Sequence, residues 1–311
     1  MNKKRISLSI LFSAIFLFIV FSQVPFKEVI NVLKMADFSW LIIAVAVLAA
    51  TITLTGIRWD QVLQSLHLRL PFQQVIRATW YGHFFNTILL GPAAGDVLKS
   101  TLFAKERKLS LTELLSASWL DRLLAGVGSL IFGILVIVFT LATKQNIPFK
   151  IPKTNPWLFI GIISFVLILF LLVKKFKILD KIKIIKKLKD SFVRAATKMY
   201  NAPRKAIFVI LLGCLGQILL SSVLAWTLAS VLQTNLPWMQ MLWVFPVIAM
   251  LSTLPISIGG VGIREGSSLI LLGTYGVSKP DAVAASLLCL CVYWLLAGIG
   301  GILILVGNKN S

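Results

Sequence analysis

Two glycine- and proline-rich breaks, each set in apolar sequence and followed at once by charge, constrain this chain more than any other feature. The first reads Gly91-Pro92-Ala93-Ala94-Gly95-Asp96-Val97-Leu98-Lys99. The second reads Pro255-Ile256-Ser257-Ile258-Gly259-Gly260-Val261-Gly262-Ile263-Arg264-Glu265-Gly266. Gly91, Pro92 and Gly95, and then Pro255, Gly259, Gly260 and Gly262, interrupt the hydrophobic pattern. After each break a helix restarts with a carboxylate and a cation in or near its first turn. Irregular backbone at membrane depth is tolerated only where protein or a water-filled cavity surrounds it. Ionisable groups at that depth are costly and mark functional sites by default.

The membrane setting follows from composition. Of 311 residues 58% are hydrophobic and only 14% are charged, against roughly 25% charged in a soluble domain. Mean hydropathy is +0.91. The spacing predicts an all-α integral membrane protein with about six full transmembrane helices, near 6–24, 40–57, 112–142, 157–173, 206–232 and 281–306. Between them lie two interrupted segments, 73–107 turning at 91–95 and 238–277 turning at 255–262. Each of their halves is shorter than a spanning helix needs, so both read as re-entrant broken-helix hairpins. The expected organisation is one polytopic domain over 1–311. Repeat 1 covers about 40–142 and repeat 2 about 206–306, each span–hairpin–span and inverted relative to the other. The N-terminal stretch Lys3-Lys4-Arg5 plus Ile6 to Val24 has the look of a signal peptide, but its apolar run is long, and a retained first helix is expected.

Net charge is +20. Most of the excess falls in loops, so it reads as topology and contact with anionic lipid. No nucleic-acid motif accompanies it. Placing the N-terminus in the cytoplasm puts Arg58, Arg69, Arg77, Lys105, Arg107 and Lys108 inside. It leaves 25–39 as a balanced outer loop and brings the C-terminus back inside. The segment 174–205 is densely basic, and Ile178, Ile182, Ile185, Leu188, Phe192 and Ala195 recur at helical spacing. It is expected to be a basic amphipathic helix lying on the inner leaflet.

The candidate site residues are Asp96, Lys99, Asp121, Arg122, Arg264 and Glu265. Asp96 and Lys99 share a face, three residues apart on the first turn of a helix, where free N–H groups and the helix dipole suit a phosphate. Asp121 and Arg122 interrupt an apolar span, and at least one of them should face a polar interior. Arg264 and Glu265 mirror Asp96 and Lys99 after the second break. Which cation Asp96 pairs with (Lys99, Arg122 or Arg264) is open at this level. Arg58-Trp59, at the end of the second span, reads as an interfacial anchor. Cys214, Cys289 and Cys291 form no metal pair or disulfide framework and read as packing residues. His67 and His83 lie far from any ligand cluster, so no metal and no cofactor is expected. No P-loop, zinc motif or Ser-His-Asp arrangement appears.

At these residues the chain resembles the transmembrane region of the lysylphosphatidylglycerol synthase/flippase family, the flippase-like domain proteins. The resemblance runs through Arg58-Trp59, Phe84-Phe85-Asn86, Gly91 to Asp96, Asp121-Arg122, Pro255 to Gly266 and Gly276-Val277 before Ala282. Where the family tends to carry Gly-Gly-Asp and a following Arg, this chain has Ala94-Gly95-Asp96 and Lys99. The resemblance implies a multi-pass protein of the bacterial-type inner membrane that translocates a phospholipid or polyprenyl-type lipid. In that reading Asp96, Arg122 and Glu265 line a central headgroup cavity. The family's bifunctional members carry a soluble aminoacyltransferase domain after the membrane region. A chain ending at Ser311 is expected not to make lysyl-lipid by itself. Membrane lipids, anionic phospholipid first, are the expected partners, with no nucleic acid; a homo-oligomer and a lipid-modifying enzyme partner stay open. So do a membrane enzyme acting on a lipid phosphate or lipid-linked group and an ion-coupled small-solute transporter.

Overall fold

The computed structural model describes residues 15, 17–68, 70–88, 93–142, 183–232, 238–252 and 260–307. Among them there is no strand. A helical stretch at 17–23 leads into α1 (Phe26–Lys34), α2 (Phe38–Ser65), α3 (Phe72–Ile88), α4 (Ala93–Arg107) and α5 (Leu111–Ala142). Then follow α6 (Lys183–Tyr200), α7 (Pro203–Val231), α8 (Trp238–Ser252), α9 (Ile263–Gly273) and α10 (Lys279–Gly307).

Four of these helices are long and apolar enough to cross a membrane: Phe38–Ser65, Leu111–Val136, Pro203–Val231 and Lys279–Leu305. They match four of the six spans read from the sequence. Of the other two, 157–173 lies outside the described residues and 6–24 lies partly outside them. Each of the two interrupted segments contains two separate short helices. Their halves span 17, 15, 15 and 11 residues, against the ~20 a spanning helix needs. Gly91, Pro92, Pro255 and Gly259 lie outside the described residues.

Packing follows a regular scheme. α2 and α7 run against each other at the centre, α3 packs on α4, and α8 packs on α9. α3 also meets α10, and α8 meets α5. Exchanging α2–α3–α4–α5 for α7–α8–α9–α10 maps each of these contacts onto another of the same set. Apolar burial concentrates at two ends of the bundle. At one end Ala44, Leu48 and Ile52 of α2 pack with Val223, Leu228, Phe245, Leu272 and Val292. At the other, Trp59, Val62 and Leu63 pack with Val75, Phe103, Leu114 and Val209.

One sequence expectation needs correction. Residues 25–39 are not simply a loop, because Phe26–Lys34 forms α1. Val29 there is fully buried with Val20 and Val24 against Val283 and Ala284. A short amphipathic helix at a bundle end gives too few apolar positions to stand out from a loop. Asp37 then caps α2, accepting from the Ser39 amide at 2.9 Å. The Ser39 hydroxyl and amide hold the Asp37 carboxyl below its ordinary range.

The described part of the basic helix also packs on the bundle. Phe192, Ala195 and Met199 of α6 pack into the Trp59 cluster, and the Lys198 ammonium donates to the Leu66 carbonyl just past the end of α2, at 3.2 Å. Protein therefore covers the C-terminal part of its apolar stripe; Ile178 and Ile182 lie outside the described residues. Lys186, Lys187 and Lys189 are exposed on the other side. The same end of the bundle carries the start of α3 and the end of α4, tied by Arg107 donating to Gln74 at 2.7 Å. The start of α3 and the end of α4 thus lie together.

Candidate functional site

The first break restarts as α4 against the helix it has just left. Gly95 meets the backbone carbonyl of Gly82 so closely that a side chain would have no room. Its N–H donates to Asn86 Oδ1 at 2.8 Å, which satisfies one of the orphan donors of the first helical turn. Gly95→Ala is expected to force α3 and α4 apart at a backbone contact that cannot yield. The cost is that of overpacking, ~1–3 kcal/mol, read as a lower thermal midpoint.

With the chain so held, Asp96 points into the bundle between two cations. Lys99 Nζ lies 2.9 Å from its Oδ1, and Arg122 Nε of α5 pairs with its Oδ2. Lys99 also sits over the Trp59 ring, 4.1 Å from its centroid, a cation–π contact worth more in a desolvated site than in water. Trp59 in turn meets Phe103 edge-on. One residue back, Arg58 forms a bidentate pair with Asp121, Nε to Oδ1 at 2.6 Å and Nη2 to Oδ2 at 2.9 Å. Gly216 of α7 lies alongside that guanidinium. The consecutive pairs Arg58-Trp59 and Asp121-Arg122 therefore interlock α2, α4 and α5. Adjacent helical residues point about 100° apart, so Arg58 and Trp59 each take a different partner, as do Asp121 and Arg122.

The open pairing of Asp96 is resolved in favour of both Lys99 and Arg122. Arg58, read from the sequence as an interfacial anchor, is instead buried in an ion pair. The Asp121 that must be neutralised inside an apolar span was the signal for it. The network is graded in exposure. The Asp96 and Lys99 side chains are 12% and 4% exposed, whereas that of Arg122 is 41% exposed. A buried carboxylate holds a cation at the rim.

The second break uses its charges otherwise. Gly260 and Gly262 have φ of 80° and 86°, left-handed values that a side chain would strain. Glu265 is fully buried. Its Oε2 accepts from the Gly262 N–H at 2.5 Å, and its Oε1 accepts from the Ser286 hydroxyl of α10 at 3.0 Å. Both oxygens are thus committed to holding the break and tying α9 to α10, in the manner of a helix cap. Arg264 is buried, 5.0 Å from the Tyr293 ring centroid. Asp96 and Glu265 hold different partners on different helices. Among the described residues no group of three or more His, Cys, Asp or Glu is placed to hold a metal.

Comparison with known proteins agrees with this architecture. The family model of the lysylphosphatidylglycerol synthase transmembrane region matches residues 6–301. The chain belongs to this family. It is also similar to the UPF0104 membrane protein PH1989 of Pyrococcus horikoshii, at 22% identity over 91% of both chains. As a member of the lysylphosphatidylglycerol synthase transmembrane-region family, it is a multi-pass membrane protein, and its conspicuous charges are those of the two broken segments and the α2–α5 pairs.

Proposed function

We propose that the chain is a flippase, moving a phospholipid or polyprenyl-type lipid across the inner membrane by passing its charged headgroup along the Asp96 network. The observation that carries this reading is the graded triad. Lys99 is buried on Asp96 while Arg122, on the same carboxylate, reaches the surface of an apolar bundle. A headgroup phosphate can take over one cation and leave the other balanced by Asp96. Lipid tails remain in the bilayer while the headgroup needs polar partners, which are costly to place at that depth without a use. The proposed roles differ by residue: Arg122 and Lys99 engage the phosphate and Asp96 holds both cations. Arg58 and Asp121 fix the helices that carry them, and Glu265 with Gly260 and Gly262 sets the second break. The matching packing of α2–α5 and α7–α10 supports two repeats in one domain, inverted as in other broken-helix transporters. The basic end, with α6, is the proposed cytoplasmic side.

The test is reconstitution into liposomes containing a trace of headgroup-adjacent fluorescent phosphatidylglycerol, with a membrane-impermeant quencher added outside. The protein is expected to expose the inner-leaflet probe, while protein-free vesicles lose only the outer-leaflet signal. Protection of the inner probe, repeated with a polyprenyl phosphate, contradicts the proposal.

The docked basic helix adds a separate expectation. Neutralising Lys183, Lys186, Lys187 and Lys189 should weaken attraction to anionic membrane by up to ~1 kcal/mol per charge near the surface. The test is the salt dependence of transport in vesicles with and without anionic lipid. Because protein covers the helix's apolar stripe, melting behaviour should change little.

A further inference from the structure

Along α3, three consecutive residues face three different parts of the site. Gly82 faces α4, where a side chain at this position would meet Lys99 Cδ at 3.5 Å. Phe84 packs on Gly300 and Gly301 of α10. His83, between them, lies against Tyr293 of α10, ring centroids 5.9 Å apart, and Tyr293 is the ring that Arg264 covers from the other break. The imidazole therefore shares Tyr293 with Arg264 and follows directly in the chain on Gly82, which faces Lys99. Its Nε2 is buried and has no hydrogen-bond partner. Leaving such a nitrogen unsatisfied costs about 1–3 kcal/mol.

The groups facing this position explain why the nitrogen stays bare. Tyr293 and Cys289 come from α10, with Arg264 and Glu265 of α9 beyond them. Lys99 comes from α4. α2 meets α3 through Gly56 against Ile76 and Thr79. Of the carboxylates beyond these groups, Asp96 is paired with Lys99 and Arg122, and Glu265 is committed to Gly262 and Ser286. Both are engaged by other groups, and an arriving anion would give a protonated imidazole a counter-charge of its own.

We propose that His83 is a proton-binding site that fills together with an anionic headgroup, so that translocation of anionic lipid is coupled to protons. This rests on the flippase reading and adds its driving force. The proton binds the Nε2 lone pair when a headgroup phosphate enters between the breaks and leaves from it when the phosphate departs. No other bond changes. One phosphate charge and one proton then cross together, which makes the step electroneutral.

The experiment has two readouts. In liposomes with fluorescent phosphatidylglycerol, a pH gradient of one unit is expected to bias the probe toward the alkaline-side leaflet, by up to about tenfold for one proton per lipid. His83→Gln is expected to abolish that bias. A wild-type distribution that ignores the gradient, or a His83→Gln variant that still follows it, overturns the proposal while leaving lipid movement itself intact. If no lipid moves, the flippase reading fails, and the second readout decides the histidine. The chain has 2 histidines, so the 15N-imidazole spectrum in nanodiscs contains only His67 beside His83. Adding phosphatidylglycerol to phosphatidylcholine nanodiscs is expected to raise the pH at which His83 titrates. An unmoved His83 overturns the proposal.

Discussion

Asp96→Asn is expected to abolish lipid movement and to lower stability, and the two effects can be separated. In the native protein one carboxylate balances Lys99 and Arg122. The amide leaves both cations facing each other across a neutral side chain. Most of the cost falls on Lys99, whose side chain is 4% exposed. Stranding one member of a buried pair costs ~3–5 kcal/mol. The Arg122 side adds less because its side chain, 41% exposed, is the less buried of the two cations. Replacing both members of a buried pair by apolar groups is often neutral, so Asp96→Asn combined with Lys99→Met should recover much of the thermal midpoint. It should not recover transport, because one of the two phosphate-binding cations is gone and Arg122 is left without its carboxylate. Recovery of transport by the double variant would show that Asp96 matters only for folding.

The second large effect concerns Arg58 and Asp121. Their side chains are 12% and 5% exposed, and the two hydrogen bonds are parallel and charge-assisted, the strong geometry for this pair. Asp121→Asn strands a guanidinium between α2, α5 and Gly216 of α7, and should lower stability by ~3–5 kcal/mol. Arg58→Met alone should cost a similar amount by stranding the carboxylate. A double-mutant cycle on the unfolding midpoint should return a coupling near the top of the ~0.5–3 kcal/mol range for residues in contact. Additive single effects would show that the pair does not hold α2 to α5.

Glu265→Gln offers a contrast. A glutamine oxygen can still accept from the Gly262 amide, so the break keeps its cap and loses a charge that faces no headgroup. A partial loss of transport is expected, smaller than that of Asp96→Asn in the same vesicles.

Much of this was legible in the sequence, for definite reasons. Long apolar runs announce α2, α5, α7 and α10 because each exceeds the length of the hydrocarbon core. Pro and Gly mark both breaks because backbone chemistry is local. Asp96, Lys99 and Arg122 were marked as ionisable groups where water is scarce, and they meet in the structure. What the sequence did not disclose was pairing. Arg58 lies 63 residues from Asp121, and only the packing of α2 on α5 joins them. Glu265 was marked because it is charged, but its partners, the Gly262 amide at its own helix start and the Ser286 hydroxyl of α10, could not be read from the sequence. The apolar stripe of α6 has the same periodicity whether lipid or protein covers it, so only its neighbours could assign it to the Trp59 cluster. His83 looked isolated because its relation to Tyr293 crosses between the two halves.

The central claim is that a lipid headgroup passes the Asp96 network, and headgroup photocrosslinking tests it most directly. Phosphatidylglycerol carrying a photoactivatable group on its headgroup would be incorporated with the reconstituted wild-type protein, illuminated, and the labelled peptides identified by mass spectrometry. Labels are predicted on α4 near Asp96 and Lys99 and on α5 beside Arg122, reduced by excess unlabelled phosphatidylglycerol. Labels confined to the exposed apolar surface of α5, around Leu130, Ile134 and Leu135, and indifferent to competition would contradict it.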